Sequence, residues 1–334
     1  MKRLLLSLVV AALALAAVIA WDVARFFDRP LAHTEPRIVT VEPGTPLSRL
    51  AADLRRDGVF AGRRQARYFT VYARLRDRAQ AIKSGEYEIP PGMYPGELLA
   101  MLVAGRTRQY RLTVVEGWTF AELRQALARH EAIDTRLADA DGAAVMKAIG
   151  AEGEHPEGRF LPDTYHFPRG TTDIEFLRRA HRAMRETLAR VWAGRSEGLP
   201  FDTAYEALIL ASIIEKETAV PEERRRIAGV FVRRLQRGMR LQTDPTVIYG
   251  IEDFDGDLRR RDLRSDTPYN TYTRRGLPPT PIALPGTASL EAAVDPAEGD
   301  ALYFVSRGDG SHVFSATLEE HNRAVRRYQL GQTP

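Results

Sequence analysis

The chain has 334 residues, 44% hydrophobic and 28% charged, a composition that suits two or three folded domains and excludes a disordered or fibrous chain. Its formal charge is +4, an arginine excess spread along the chain rather than gathered into one polyanion-binding tail. There is no cysteine, which removes disulfides, thiol catalysis and cysteine-ligated metal.

The N-terminus sets the compartment. Met1, Lys2 and Arg3 precede a stretch from Leu4 to Trp21 that is polar only at Ser7. As a helix it spans about 27 Å, enough to cross a membrane. The flanking Lys2 and Arg3 favour a cytoplasmic N-terminus, with the rest of the chain periplasmic. A cleaved signal peptide ending near Val18-Ile19-Ala20 is the alternative, although the apolar run is long for one. The expectation is a single-pass inner-membrane anchor over 1–21 and a short tether over 22–35, containing Pro30.

Three stretches then resemble each other: VTVEPGTPLSRLAADL (39–54), YEIPPGMYPGELLAML (87–102) and LTVVEGWTFAELRQAL (112–127). Each reads as a short strand, a turn at Gly44, Gly92 or Gly117, and a helix with apolar residues three and four apart. Thr45 before Pro46 suits an N-cap, and Thr119 with Glu122 makes a capping box. Their uneven spacing argues against a solenoid. The region 36–107, through VEPGTPLSRLAADL and SGEYEIPPGM, loosely resembles a LysM-like βααβ module, a type that often binds N-acetylglucosamine-containing glycans. A plain structural spacer fits the same residues.

Residues 128–200 hold a helical stretch, a proline- and aromatic-rich segment EGRFLPDTYHFPRG (157–170) expected as an ordered loop, and a long helix near Asp173 to Trp192. The next helix opens with the capping box Thr203-x-x-Glu206 and contains ALILASII (207–214), apolar except for Ser212. A second helix, PEERRRIAGVFVRRLQRG, places Pro221, Glu222 and Glu223 in its first turn, buries Ile227, Ala228, Phe231 and Leu235, and ends at Gly238. Arg224 to Arg226 and Arg259 to Arg261 read first as solvated faces. The chain ends in a hairpin, ALYFVS-RGDG-SHVFS, and a helix capped by Thr317 and Glu320. The whole is α+β: a transmembrane helix, a small module, and a mixed helical and strand domain over 108–334 with long ordered loops.

The chemistry has few places to sit. The histidines are scattered without a zinc-binding spacing, and no phosphate loop, dinucleotide fingerprint, nucleophile elbow or nucleic-acid module appears. The carboxylates Glu215 and Glu217 remain, at the end of the apolar helix. Glu217 follows Ile213 by four residues and Leu210 by seven, so it continues an apolar face, whereas Glu215 lies about 200° around the helix from it. A carboxyl that loses hydration is protonated near neutral pH, as a general acid requires. The same spacing also fits two glutamates exposed at a helix end, or paired with Lys216 and the arginines beyond. Two loop segments, MRLQTDPTVIYG (239–250) and TPYNTYTRRGLPPTPIALPG (267–286), are dense in groups that read sugar hydroxyls and stack on sugar faces: Gln242, Thr243, Asp244, Tyr249, Tyr269, Asn270, Thr271 and Tyr272.

Taken together, ASIIEKETAVPEERRRIAGVFVRRLQRGMRLQTDPTVIYG, YNTYTRRGLPPTPIALPG, EGRFLPDTY and VVEG closely resemble the endolytic murein transglycosylase family (MltG, YceG-like). The resemblance covers nearly the whole chain. It implies that Glu217, the second glutamate of EKE, is catalytic, and that Gln242 and the Tyr269-Asn270 pair hold positions like those of lysozyme-like transglycosylases. It implies a lyase that cuts within peptidoglycan strands, leaves 1,6-anhydro ends, terminates strand elongation and needs no metal or cofactor. Its partners would be glycan strands, the inner membrane, and peptidoglycan synthases or the elongation or division machinery, with no nucleic acid. A membrane-tethered peptidoglycan-binding scaffold without turnover, or a muramidase-type hydrolase, would share most of these residues.

Overall fold

In the computed structural model, which describes residues 2–331, the apolar N-terminal run folds as one unbroken helix, α1 (Lys2–Phe27). The segment Leu5–Phe27 is long and apolar enough to span a bilayer, and its large side chains are exposed from Leu5 to Trp21. The helix does not stop at Trp21. Phe26 is buried against Phe60 and Tyr68, Leu31 donates its N–H to Met93 O at 2.8 Å, and the Tyr68 hydroxyl donates to Asp22 at 2.8 Å. Residues 22–35, expected as a tether, thus fold onto the domain that follows, because two adjacent phenylalanines and a leucine there have an apolar surface to bury.

The chain divides into two compact units. The first comprises the residues up to 110 together with 166–170, and the second comprises 111–165 together with 171 onward. In the first unit α1 is followed by β1 (Arg37–Val41), α2 (Leu47–Arg56), α3 (Arg63–Leu75), β2 (Gly85–Ile89) and α4 (Pro95–Ala104). β1 and β2 pair antiparallel, with Arg37 opposite Ile89 and Val41 opposite Gly85. Their alternate residues Val39, Val41, Tyr87 and Ile89 face inward onto Leu50, Leu54, Phe69, Leu98 and Leu102. The turns into α2 and α4 need Gly44 and Gly92 at φ +75° and +82°, which side-chain-bearing residues rarely adopt. Pro46 rather than Thr45 caps α2, so that helix begins one residue later than its sequence suggests. The segment 166–170 belongs here because the buried Glu86 carboxylate takes Arg169 at 2.5 Å and Arg108 at 3.0 Å.

The chain continues from β3 (Gln109–Thr113) through α5 (Phe120–Arg129), β4 (Ile133–Asp134), α6 (Gly142–Ile149), β5 (Thr164–Pro168), β6 (Thr171–Thr172) and α7 (Asp173–Ala193). β3 and β5 each have residues in both units, and the others belong to the second unit. Then come α8 (Ala204–Glu217), α9 (Arg224–Gln236), α10 (Asp244–Tyr249), α11 (Thr287–Val294), β7 (Tyr303–Ser306), β8 (His312–Ser315) and α12 (Leu318–Tyr328). The sheets are small: β3 pairs with β5, β4 with β6, and β7 with β8 in the expected hairpin. The three capping boxes read from the sequence form at α5, α8 and α12, and a fourth, Thr172 with Glu175, starts α7. Proline-rich loop 250–286 carries no long element and is held by hydrogen bonds within itself and to neighbouring segments.

The core of this unit is α8. Every side chain from Ala207 to Ile214 is buried, against residues of α7, α9 and α11. A helix that is apolar all round belongs at a core centre, which explains why ALILASII lacks a polar face. Its one polar residue has a defined task. Ser212 donates to Ile209 O at 2.7 Å and accepts the N–H of Ile282 at 3.0 Å, tying the loop before α11 to the helix. Ser212→Ala leaves the Ile282 amide buried without a partner, which costs about 1–3 kcal/mol. Denaturant unfolding should show that loss, and an unchanged midpoint would remove this tie from the account.

Candidate active site

Glu217 is the last residue of α8, and the chain turns extended at Thr218 immediately after it. The helix end is close-packed, so the Glu217 side chain is only partly accessible. Loss of hydration pushes its pKa up to about 7, and Asp244 adds to the rise. The Thr243 hydroxyl, which donates to Glu217 Oε1, opposes it, as do His312 and Arg234. The balance leaves a carboxyl that holds a proton near neutrality.

Thr243 is held from several directions. Arg234 is buried in α9 and donates to Leu241 O and Leu302 O, both at 2.6 Å, which pins the strand-like segment entering the site. The next residue, Gln242, adopts φ +52°, a left-handed conformation that costs a non-glycine residue about 1 kcal/mol or more. Its N–H meets Thr271 O at 3.2 Å. Thr243 N–H meets the Thr271 hydroxyl at 3.1 Å, and Thr246 donates to Thr243 O at 2.8 Å. Three buried threonines therefore fix the one hydroxyl that faces Glu217, and the strain at Gln242 is the means of turning it there.

Glu217 opens onto a cleft of about 500 Å³. Gln242, Thr243, Asp244 and Tyr272 line it on one side, and Tyr303, His312, His321 and Asn322 on the other. The Tyr272 hydroxyl donates to Asp244 at 2.6 Å, and burial followed by this bond raises its pKa well above the usual phenol value. Of the residues picked from the sequence, Glu217, Gln242, Thr243, Asp244 and Tyr272 are thus brought together. The others point elsewhere. Asn270 is fully buried, with its amide donating to the carbonyls of Asp262, Leu263 and Ser265 and its oxygen accepting from Tyr272 N, so it stiffens the loop. The Thr271 hydroxyl bonds within the threonine cluster. Tyr249 donates to Glu157 at 3.0 Å, and Tyr269 shares a hydrogen bond with Thr280. These two rings pack on each other, not in the cleft.

Several residues of the site were not legible as such. Glu223, read only as a favourable charge in a first helical turn, is buried, and its carboxylate takes both the backbone N–H of His312 at 2.9 Å and Nδ1 of its ring at 2.6 Å. Against a carboxylate acceptor Nδ1 carries the hydrogen, which leaves Nε2 for the cleft that His312 lines. His321 and Asn322 sit on α12, read only as a capped amphipathic helix. Glu215 faces away from Glu217, as its angle predicts, but it is not solvated. Its side chain is 6% exposed, accepts Gly286 N–H at 2.9 Å, and lies 3.9 Å from Arg224, which reaches Glu116 at the same distance. Arg224, expected on a solvated face, is therefore drawn inward by two carboxylates. Burial and then Glu215 raise the Glu116 carboxyl above its ordinary value. A Cβ at position 286 would meet the Glu116 carboxyl, so a side chain there would displace that carboxyl from its place near Arg224.

A carboxyl protonated near neutrality, at the end of a buried helix and facing a polar cleft, defines a site suited to general-acid chemistry on a polar substrate. A family model described as the YceG-like family matches residues 39–327, and the chain belongs to that family. It is 31% identical over 308 residues to a protein of Bacillus subtilis named endolytic murein transglycosylase, covering 87% of this chain and 84% of that one. A Streptococcus pneumoniae protein of the same name is 28% identical over 292 residues, 77% of this chain and 52% of its own length. A crystal structure of a yceG-like protein of Listeria monocytogenes superposes with a TM-score of 0.53 at 29% identity, covering 87% of this chain and 99% of that one.

Two outcomes follow from the geometry. Because the folded pKa of Glu217 is raised from 4.5 to about 7, the folded state holds a proton that the unfolded chain has lost between those values. Stability from this group is complete below about pH 4.5 and is lost as pH rises through about 7. Glu217→Gln should therefore melt higher than the parent at alkaline pH, with the difference closing in acid. A constant difference across pH would show the carboxyl to be ordinary. Glu215→Ala strands Arg224 and the Gly286 amide, so it should lower the melting temperature while residual catalysis persists. Normal stability with total loss of turnover would exchange the roles of the two glutamates.

Proposed function

We propose that this chain is a membrane-anchored endolytic lytic transglycosylase that cuts the β-1,4 bond between N-acetylmuramic acid and N-acetylglucosamine inside peptidoglycan strands. The observation that carries the reading is the raised pKa of Glu217, about 7, beside the polar cleft. The protonated carboxyl donates to the glycosidic oxygen as the C1–O bond breaks, and the resulting carboxylate then accepts the proton of the muramyl C6 hydroxyl. That oxygen closes on C1 to give a 1,6-anhydro end. No water is consumed, and Glu217 returns to its protonated state. Thr243 stabilises the carboxylate between the two steps, because its hydrogen bond is worth more to the charged form.

In this reading residues 108–334 carry the catalysis, with Gln242, Asp244 and Tyr272 contacting sugar. The segment 36–107 keeps a LysM-like assignment, supported by its β–α–α–β order and the antiparallel pairing of its strands, and glycan binding by it is part of the proposal. The apolar helix α1 supports an anchor in the inner membrane with the remainder periplasmic. Peptidoglycan synthases or the elongation or division machinery are the natural partners of an enzyme that terminates strand growth.

Purified glycan strands digested by the full chain should yield internal fragments whose reducing ends are lighter by one water than hydrolytic ends. Glu217→Gln should lose at least about 100-fold in turnover, the low end of acid–base contributions, and still bind strands. Products of hydrolytic mass would make the enzyme a muramidase, and strand binding without any cleavage would make it a scaffold.

A further inference from the structure

The foot of α1 carries a feature that glycan cleavage does not use. About 20 residues cross the hydrocarbon of a bilayer, so a span opening at Leu5 leaves it near Ala24. Trp21, exposed and typical of an interface, marks the same level. At this depth the first unit contains a pocket of about 340 Å³. Its polar wall is formed by Arg25, Arg29, Arg64, Gln65 and Tyr68, and its apolar wall includes Phe26 and Leu31. One acidic residue, Asp22, shares it. That carboxylate is already engaged, 3.4 Å from Arg64 and accepting the Tyr68 hydroxyl. Among the described residues Arg25 and Arg29 have no carboxylate partner, and Arg25 rests on the Trp21 ring at 5.1 Å. Gln65 gives its oxygen to Ala61 N, which leaves its amide hydrogens for the pocket. Arg63 and Arg67, both exposed on α3, add to the positive surface.

We infer that this pocket binds the phosphodiester headgroup of an anionic phospholipid, with the lipid reaching it from the leaflet that α1 leaves. The inference rests on α1 being a membrane anchor. Three guanidiniums against one satisfied carboxylate leave a surplus of positive charge that favours phosphate oxygens. A zwitterionic lipid brings a cation of its own, which that surplus repels. The amide of Gln65 and the hydroxyl of Tyr68 suit the hydroxyls of a glycerol headgroup. Phe26 and Leu31 are where the glycerol backbone and the first methylenes would lie. A bound lipid of this kind would hold the first unit at a fixed height on the membrane, as a second anchoring point beside the helix.

The test reconstitutes the full chain in nanodiscs of mixed phosphatidylcholine and phosphatidylglycerol, transfers it to mild detergent, and identifies retained lipid by native mass spectrometry. The parent should retain phosphatidylglycerol selectively. Arg29→Gln with Arg64→Gln should reduce that retention by about fivefold per arginine, and the double lysine variant should keep most of it. Arg182→Gln with Arg185→Gln, exposed charges on α7, should change nothing. Equal retention of both lipids, or an equal loss in the α7 variant, would overturn the site. Saturable binding of inorganic phosphate to the lipid-free protein at the same strength would make it a free-anion site instead. A chain that fails to enter nanodiscs would overturn the anchor, and the lipid site with it, which distinguishes that failure from loss of lipid selectivity alone.

Discussion

The hydrogen bond from Thr243 to Glu217, made where the buried helix α8 meets its polar cleft, is the contact on which the rest of the site depends. Burial alone would keep Glu217 protonated and inert as a base. The Thr243 hydroxyl directed at the carboxyl lowers the cost of the charged form. In the mechanism we propose, an acid that acts as a base one step later needs a pKa near the working pH, and desolvation opposed by Thr243, His312 and Arg234 provides it.

Much of the second unit can be read as the support for that contact. α8 is apolar on every side, so its end cannot drift, and Ser212 locks the neighbouring loop to it. Arg234 pins the segment that carries Thr243, the strained Gln242 turns it, and the Thr246 and Thr271 hydroxyls complete the cradle. Glu215, Arg224 and Glu116 brace the opposite side of the helix end, which answers why two carboxylates stand two residues apart there. One is largely desolvated yet opens onto the cleft, and the other is paired and structural. The Glu223 and His312 pair brings an imidazole to the far wall, oriented by a buried carboxylate.

Helix caps, the terminal hairpin and the phase of Glu217 were legible because each rests on local rules: a threonine three residues before a glutamate, a Gly-rich turn between alternating strands, the 3.6-residue period. The polar loops were legible only as a set. Gln242, Thr243, Asp244 and Tyr272 reach the cleft, while Asn270, Thr271, Tyr249 and Tyr269 bond to protein. Composition is the same in both groups, and only tertiary placement separates a side chain that lines the cleft from one that stiffens the loop. The far wall was illegible for a similar reason. His312 and its partner Glu223 lie 89 residues apart, and neither has a local pattern that announces the other. Arg224 and Arg234 were hidden in arginine-rich runs, which look solvated until the carboxylates and carbonyls that draw them inward are known.

The pH dependence of kcat/KM on soluble glycan strands tests the central claim most directly, since it reports the protonation state of the free enzyme's essential acid. With Glu217 as a buried, threonine-bonded acid, activity should hold through mildly acidic pH and fall as pH rises through about 7. A fall already beginning near 4.5, the ordinary value of a solvated glutamate, or a rate that rises through neutrality, would contradict the claim that burial at the end of α8 arms this carboxyl.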